Sequence, residues 1–194
     1  GQACTIEDWL KVFEDATGRD LGQFARWYSQ AGTPRVSAFE AWSDGTYTLT
    51  LRQDLPHSPD GIEKKPQVIP VTVGLLGRDG RELVGSTTLE LTEVTQSFRF
   101  EDLPERPVPS LLRGFSAPVI LDRKTSREER LLLLAHDTDP FNKWESGRAL
   151  AKEVLAGMIT KRTSPNAGFL DALDKVASDD ALDPAFRALV LALP

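Results

Sequence analysis

Arg26-Trp27-Tyr28-Ser29-Gln30-Ala31-Gly32-Thr33-Pro34 is where a helical pattern gives way to a strand pattern. Three large side chains crowd one helical turn, Gly32 suits the left-handed residue at a helix C′ position, and Pro34 forbids further helix. Such a junction joins two packed bodies. Only about 30 residues precede it, too few for a core of their own. That imbalance leads us to expect a segment of something larger.

Upstream, Thr5 is placed to cap a helix whose Ile6, Trp9, Leu10 and Phe13 form one apolar stripe, ended by Gly18. Asp20 is predicted to cap a second helix with Leu21, Phe24, Trp27 and Tyr28 on one side. Downstream, the pattern switches to period two. Tyr47, Leu49 and Leu51 alternate with Thr46, Thr48, Thr50 and Arg52, and Ser43-Asp44-Gly45 is a hairpin turn back to a strand over 35–42. Ile69, Val71, Val73 and Leu75 give another inward row, with Pro70 hinting at a sheet edge. Arg78-Asp79-Gly80 turns into Glu82-Leu83-Val84, and Leu89 with Leu91, Phe98 with Phe100, and Val119 with Leu121 supply further rows. Leu55 to Pro66 and Pro104 to Pro109 are expected as Pro-rich loops. About seven short strands predict an antiparallel, immunoglobulin-like β-sandwich without the disulfide.

From about residue 126 the pattern is helical again. Ser126 with Glu129 is a capping box, and Asp139-Pro140 pairs an N-cap with a first-turn proline. Phe141, Trp144, Ala151, Val154, Leu155 and Met158 keep helical spacing until Thr163-Ser164-Pro165-Asn166. Phe169, Leu170, Leu173 and Val176 mark a third helix, and Asp183-Pro184 opens a fourth that runs apolar through Leu193. The predicted fold class is therefore α+β: N-terminal helices over 1–33, a sandwich over 34–123, and an α-α repeat-like helical segment over 124–194. The apolar faces near both ends look like cut edges.

Composition narrows the function classes. The 194 residues are 40% hydrophobic and 27% charged with net charge −6, ordinary for a globular protein and poorly suited to neutralising phosphates, so no nucleic-acid partner is expected. Cys4 is the single cysteine, which excludes an internal disulfide and suits a reducing, cytoplasmic setting. No apolar run approaches the ~20 residues of a membrane span, so no membrane partner is expected. Gly1-Gln2-Ala3 shows neither a basic nor an apolar leader pattern, and the missing initiator Met fits an excised segment.

Chemistry is sparse. His57 reads as a solvated loop residue. His136 stands in Ala135-His136-Asp137-Thr138-Asp139-Pro140, but residues one and three apart at a helix break converge poorly on one ion. We read it as a helix C-terminal imidazole, a place where the cationic form is favoured. Cys4 has no His or basic neighbour, no Ser sits in a nucleophile elbow, and Gly77 with Gly80 ends in a hairpin rather than a phosphate-binding helix. Glu101-Asp102 and Asp179-Asp180 read as solvated turns or caps. No catalytic, metal or substrate-binding residue is assigned. Trp27, Tyr28, Phe141 and Trp144 are assigned to inter-domain packing.

The run from Asp20 through Pro34 resembles bacterial aminopeptidase N, of the zinc-dependent M1 peptidase family. The resemblance continues through Lys65-Pro66-Gln67-Val68-Ile69-Pro70-Val71, Pro107 to Val119 and Leu134 to Glu145, in order along nearly the whole chain. It implies the last helices of a catalytic domain, a small β-sandwich domain and the first helices of a C-terminal helical domain. It also implies, for the parent protein, zinc and peptide substrates trimmed from the N-terminus. The family's H-E-x-x-H zinc motif, its G-A-M-E-N motif and its catalytic tyrosine have no counterpart here, so Tyr28 and Tyr47 inherit no role. On that reading the segment is inactive alone, carries no cofactor, and has the rest of its own polypeptide as partner, with the sandwich as spacer. The alternative is a freestanding sandwich module that binds a protein or glycan, its terminal apolar faces forming a dimer surface. A small sandwich hydrolase is disfavoured by the missing nucleophile–base pair.

Overall fold

Alternation at period two builds the centre of the molecule. In the computed structural model, which describes residues 3–57, 61 and 63–192, seven strands form two sheets. The expectations placed on Gly1-Gln2, Ser58 to Asp60, Ile62 and Leu193-Pro194 lie outside the described residues. Strands β1 (Arg35–Ser43), β2 (Thr46–Asp54), β5 (Thr95–Phe100) and β7 (Ile120–Asp122) make one sheet, ordered β5-β2-β1-β7. The other holds β3 (Ile69–Leu76), β4 (Glu82–Leu91) and β6 (Val108–Leu111), ordered β4-β3-β6. Tyr47, Leu49 and Leu51 face Ile69, Val71, Val73 and Leu75 across a core in which all seven side chains are fully buried. Each of the six aliphatic side chains among them contributes about 1.5–3 kcal/mol of burial. Asp44 and Gly45, both at positive φ, form the hairpin turn between β1 and β2.

Four sandwich expectations need correction. Residues 82–91 form one continuous strand rather than two short rows, because β4 pairs with β3 along almost its entire length. The predicted Pro104 to Pro109 loop ends early: Val108–Leu111 is a strand, and Pro109 occupies the outer strand β6, where a missing N–H is tolerated. Pro70 does not mark an edge strand, since β3 is central in its sheet. Yet β6 pairs only with Val73 to Leu76, so Pro70 lies beyond that ladder, and the nearby Thr72 N–H donates to Ser116 Oγ instead. Nor is the sandwich wholly antiparallel, because β7 joins β1 in parallel after the long excursion through the second sheet.

The N-terminal helices differ from expectation in length and burial. Helix α1 (Ile6–Thr17) has the Thr5 cap, completed as a capping box by Asp8, and it ends at left-handed Gly18. Of its apolar stripe only Leu10 is buried; Ile6, Trp9 and Phe13 are exposed. Helix α2 is a single turn, Arg26–Ser29, and Asp20 instead caps the turn before it by accepting from Gly22 N–H. Gln30 closes α2, so Gly32, at φ +97°, lies two residues past the cap rather than at C′.

Four helices follow the sandwich: α3 (Arg127–His136), α4 (Pro140–Lys161), α5 (Ala167–Ser178) and α6 (Pro184–Leu191). Each starts at a side-chain cap, from Ser126, Asp139, Asn166 and Asp183 in turn. Leu134, Leu150, Ala151, Phe169, Ala172, Val176 and Val190 form a second core. Of the residues that mark α5, Phe169 and Val176 are buried and Leu170 is exposed, while Ala172 also packs inward. No helix among the described residues is long and apolar enough to cross a membrane.

Candidate functional site

The densest chemistry lies where the sandwich meets α3 and α4. After β6, the chain turns through Leu112, Gly114 and Phe115, all at positive φ, two of them residues that pay for that conformation with strain. The turn drives the Arg113 side chain inward across β3. Gly74 is required beneath it, because a Cβ there would overlap the guanidinium. Arg113 then donates from Nε to Ser110 Oγ (3.0 Å), from Nη1 to Glu82 (2.6 Å) and Ser86 (2.9 Å), and from Nη2 to Asp137 (3.0 Å). The Arg113 side chain is 3% exposed and that of Asp137 is 0% exposed.

Asp137 caps the end of α3, so this ion pair ties the three-stranded sheet to the helices. Burial pushes its carboxyl above the ordinary carboxylate value. Glu82 is displaced the opposite way, first by the Thr138 hydroxyl and then by Arg113. Asp139 serves both bodies: Oδ1 caps α4 by accepting from Asn142 N–H, and Oδ2 accepts from Gly114 N–H at 2.7 Å. Asn142 reaches back, donating to Ser110 Oγ (2.7 Å) and the Leu111 carbonyl (2.9 Å).

A second arginine ties the other sheet to α3. Arg123, 5% exposed, donates to Glu40 of β1 (2.6 Å), to Glu129 of α3 (2.9 Å) and to Thr125 (3.2 Å). Glu129 is also the reciprocal member of the capping box with Ser126. Burial and the nearby Glu40 carboxylate push the Tyr47 phenol far above its ordinary value, so it stays neutral within the core. Between the two arginine nodes runs a cleft of about 460 Å³, walled by Leu121, Leu133, Phe115 and Phe141.

The four assigned packing residues are not brought together. Trp27 lies against the sandwich core and donates Nε1–H to the Val68 carbonyl at 2.7 Å. Tyr28 is half exposed and packs edge-on against Phe24. Phe141 lies 5.4 Å from Phe115 of the sandwich turn and 6.3 Å from Trp144, centroid to centroid. Trp144 belongs to the helical core, with Arg148 stacked over its ring.

His136 corrects an expectation: its imidazole is held below its ordinary value, by burial first and then by Lys175 and Lys143. Its position at a helix C-terminus is outweighed by burial, with the two neighbouring ammonium groups adding to it. Zinc does not fit the residues present, since no group of three or more His, Cys, Asp or Glu is arranged to hold a metal among the described residues. Sequence reasoning missed Arg113 and Arg123. A hint was present in Leu111-Leu112-Arg113-Gly114-Phe115, where one charge interrupts an apolar run, but its partners at 82 and 137 leave no local trace.

Residues 32–124 match a family model described as "Domain of unknown function (DUF3458) Ig-like fold", and residues 127–194 match "Domain of unknown function (DUF3458_C) ARM repeats". The two models meet between the arginine nodes' strands and α3. Over its whole length the chain is 42% identical to aminopeptidase N of Caulobacter vibrioides and 34% identical to that of Escherichia coli. It spans about a quarter of the length of these curated relatives, 23% and 24% respectively. A crystal structure of Legionella pneumophila aminopeptidase A in complex with aspartic acid superposes with a TM-score of 0.85 at 28% identity, over 99% of this chain and 22% of that one.

Proposed function

Because this chain corresponds to a segment of bacterial aminopeptidase N, its Ig-like domain followed by the start of the ARM-repeat region, we propose that it is the non-catalytic spacer of a zinc-dependent aminopeptidase. The parent polypeptide removes N-terminal residues from peptides, and this segment sets the angle at which the helical domain stands. Zinc would be held outside these residues, and no step of hydrolysis is assigned to a side chain here. The observation that carries the spacer reading is the buried Arg113–Asp137 pair between sandwich and α3. A desolvated ion pair tolerates little change of geometry, because a small displacement weakens the attraction before water can reach either charge.

Two measurements test the two halves of the reading. The chain alone, supplied with zinc, is expected to release no p-nitroaniline from aminoacyl p-nitroanilides; zinc-dependent turnover sinks it. Spin labels at exposed Glu93 and Ile159 are expected to report one narrow distance distribution. A broad or two-peaked distribution removes the spacer role.

A further inference from the structure

One partly buried titratable side chain stands between the sandwich and the helices outside both arginine nodes. His136 ends α3, and its imidazole occupies the space a side chain on Gly80 would need. Gly80, at φ +84°, stands in the turn between β3 and β4, so that hairpin rests directly on the ring. On the ring's other side, Lys175 of α5 places Nζ 3.1 Å from Nε2. An ammonium group can only donate, so this contact needs the Nε2 lone pair and puts the ring proton on Nδ1. A protonated imidazole has no lone pair to offer. The same geometry would then bring two cations face to face.

We propose that His136 is a pH-sensitive latch: neutral, it holds the sandwich's β3–β4 hairpin to α5, and protonated, it is repelled by Lys175 and lets the hairpin go. The charges around it come from every packed element. Lys175 faces it from α5 and Lys143 from α4, whose Nζ is buried and donates to the Leu134 carbonyl at 3.1 Å. Asp79 of the hairpin turn pulls the other way, but its carboxylate is already engaged by Arg81. The neighbouring Asp137 is occupied by Arg113.

The pH window follows from the direction of the shift. The fold holds this imidazole below its ordinary 6.5. An unfolded or opened chain therefore takes up a proton that the closed form rejects. The latch is at full strength above the ordinary value and weakens as pH falls through the lower, folded value. The weakening amounts to about tenfold in the opening equilibrium for each pKa unit of depression.

Hydrogen–deuterium exchange of the full-length protein tests this at residues 77–84 and 170–178, from about pH 7.5 down to about pH 5, after correction for the intrinsic rate. The expected result is a rise in opening below pH 6.5 confined to those two segments. His136→Gln, whose amide oxygen accepts from Lys175 at any pH, should flatten the rise. Lys175→Met should shrink it, because a protonated ring then meets no cation at contact distance. A flat wild-type profile overturns the latch, as does an undiminished rise in H136Q. Should H136Q fail to fold, an undiminished rise in K175M overturns it equally.

Discussion

The sandwich meets helices on two sides, and the two seams use opposite chemistry. On the N-terminal side the contacts run mainly from neutral side chains to backbone carbonyls. Gln23 donates to Thr92 at 2.6 Å, Trp27 to Val68 at 2.7 Å, and Gln30 to Lys65 at 2.8 Å, with the Lys65 N–H returned to Gln30 at 2.7 Å. The cations on this side are Arg26 on the Pro66 carbonyl, Lys64 on the Ala31 carbonyl, and Arg19, whose ion pair with Glu90 of β4 is solvent-exposed and therefore weak. On the C-terminal side the buried Arg113 and Arg123 make four carboxylate contacts, with Asp137 buried and Glu40, Glu82 and Glu129 partly exposed. A neutral hydrogen bond is worth about 1 kcal/mol net, and those of the first seam are part-buried or exposed. A buried ion pair contributes little over a hydrophobic substitute, yet removing one partner is severe. The first seam is graded; the second is all or none.

Breaking the second seam should therefore give the largest effect. Arg113→Ala leaves the buried Asp137 carboxyl without its guanidinium partner, at a cost of about 3–5 kcal/mol in urea denaturation. Gly74→Ala should approach the same loss, since the new methyl group and the guanidinium cannot share the site. Replacing both partners, Arg113→Met with Asp137→Leu, should recover most of it. A loss below about 1 kcal/mol in Arg113→Ala would erase the contrast between the seams.

That contrast also explains what could be read from the chain. Elements defined by local chemistry were legible: the Thr5 cap, the Ser126 capping box, the Asp139-Pro140 start of α4, the Asp44-Gly45 turn and the alternation through Tyr47, Leu49 and Leu51. Elements defined by distant partners were not. Strand β6 is four residues long and contains Pro109, so only its pairing with β3 makes it a strand. The parallel placement of β7 depends on a partner about 85 residues away in β1. The exposed stripe of α1 carries the same pattern as a buried one, because periodicity records a face and not what covers it. Among the candidate site residues, Trp27 and Phe141 were visible as large aromatics, whereas Arg113 gains its meaning only from Glu82 and Asp137.

The graded seam should yield in smaller steps. Trp27→Phe keeps an aromatic ring against the sandwich core and removes the Nε1–H bond to Val68. The expected cost is about 1 kcal/mol in the same denaturation experiment. A cost near that of Arg113→Ala would mean that the first seam is as cooperative as the second.

The smallest effects come from one motif used on both sides. Thr5 with Asp8 and Ser126 with Glu129 are the same capping box, each satisfying two backbone N–H groups. Cutting either to Ala costs its own helix about 1 kcal/mol. Helix α1 buries only Leu10, so its fraying is nearly uncoupled from the cores. Thr5→Ala should thus raise amide exchange at residues 6–10 and leave the urea midpoint in place. Ser126→Ala should move the midpoint, because Glu129 also holds Arg123 and, through it, Glu40 of β1. Equal midpoint shifts in the two variants would show that α1 is anchored more firmly than its exposed face implies.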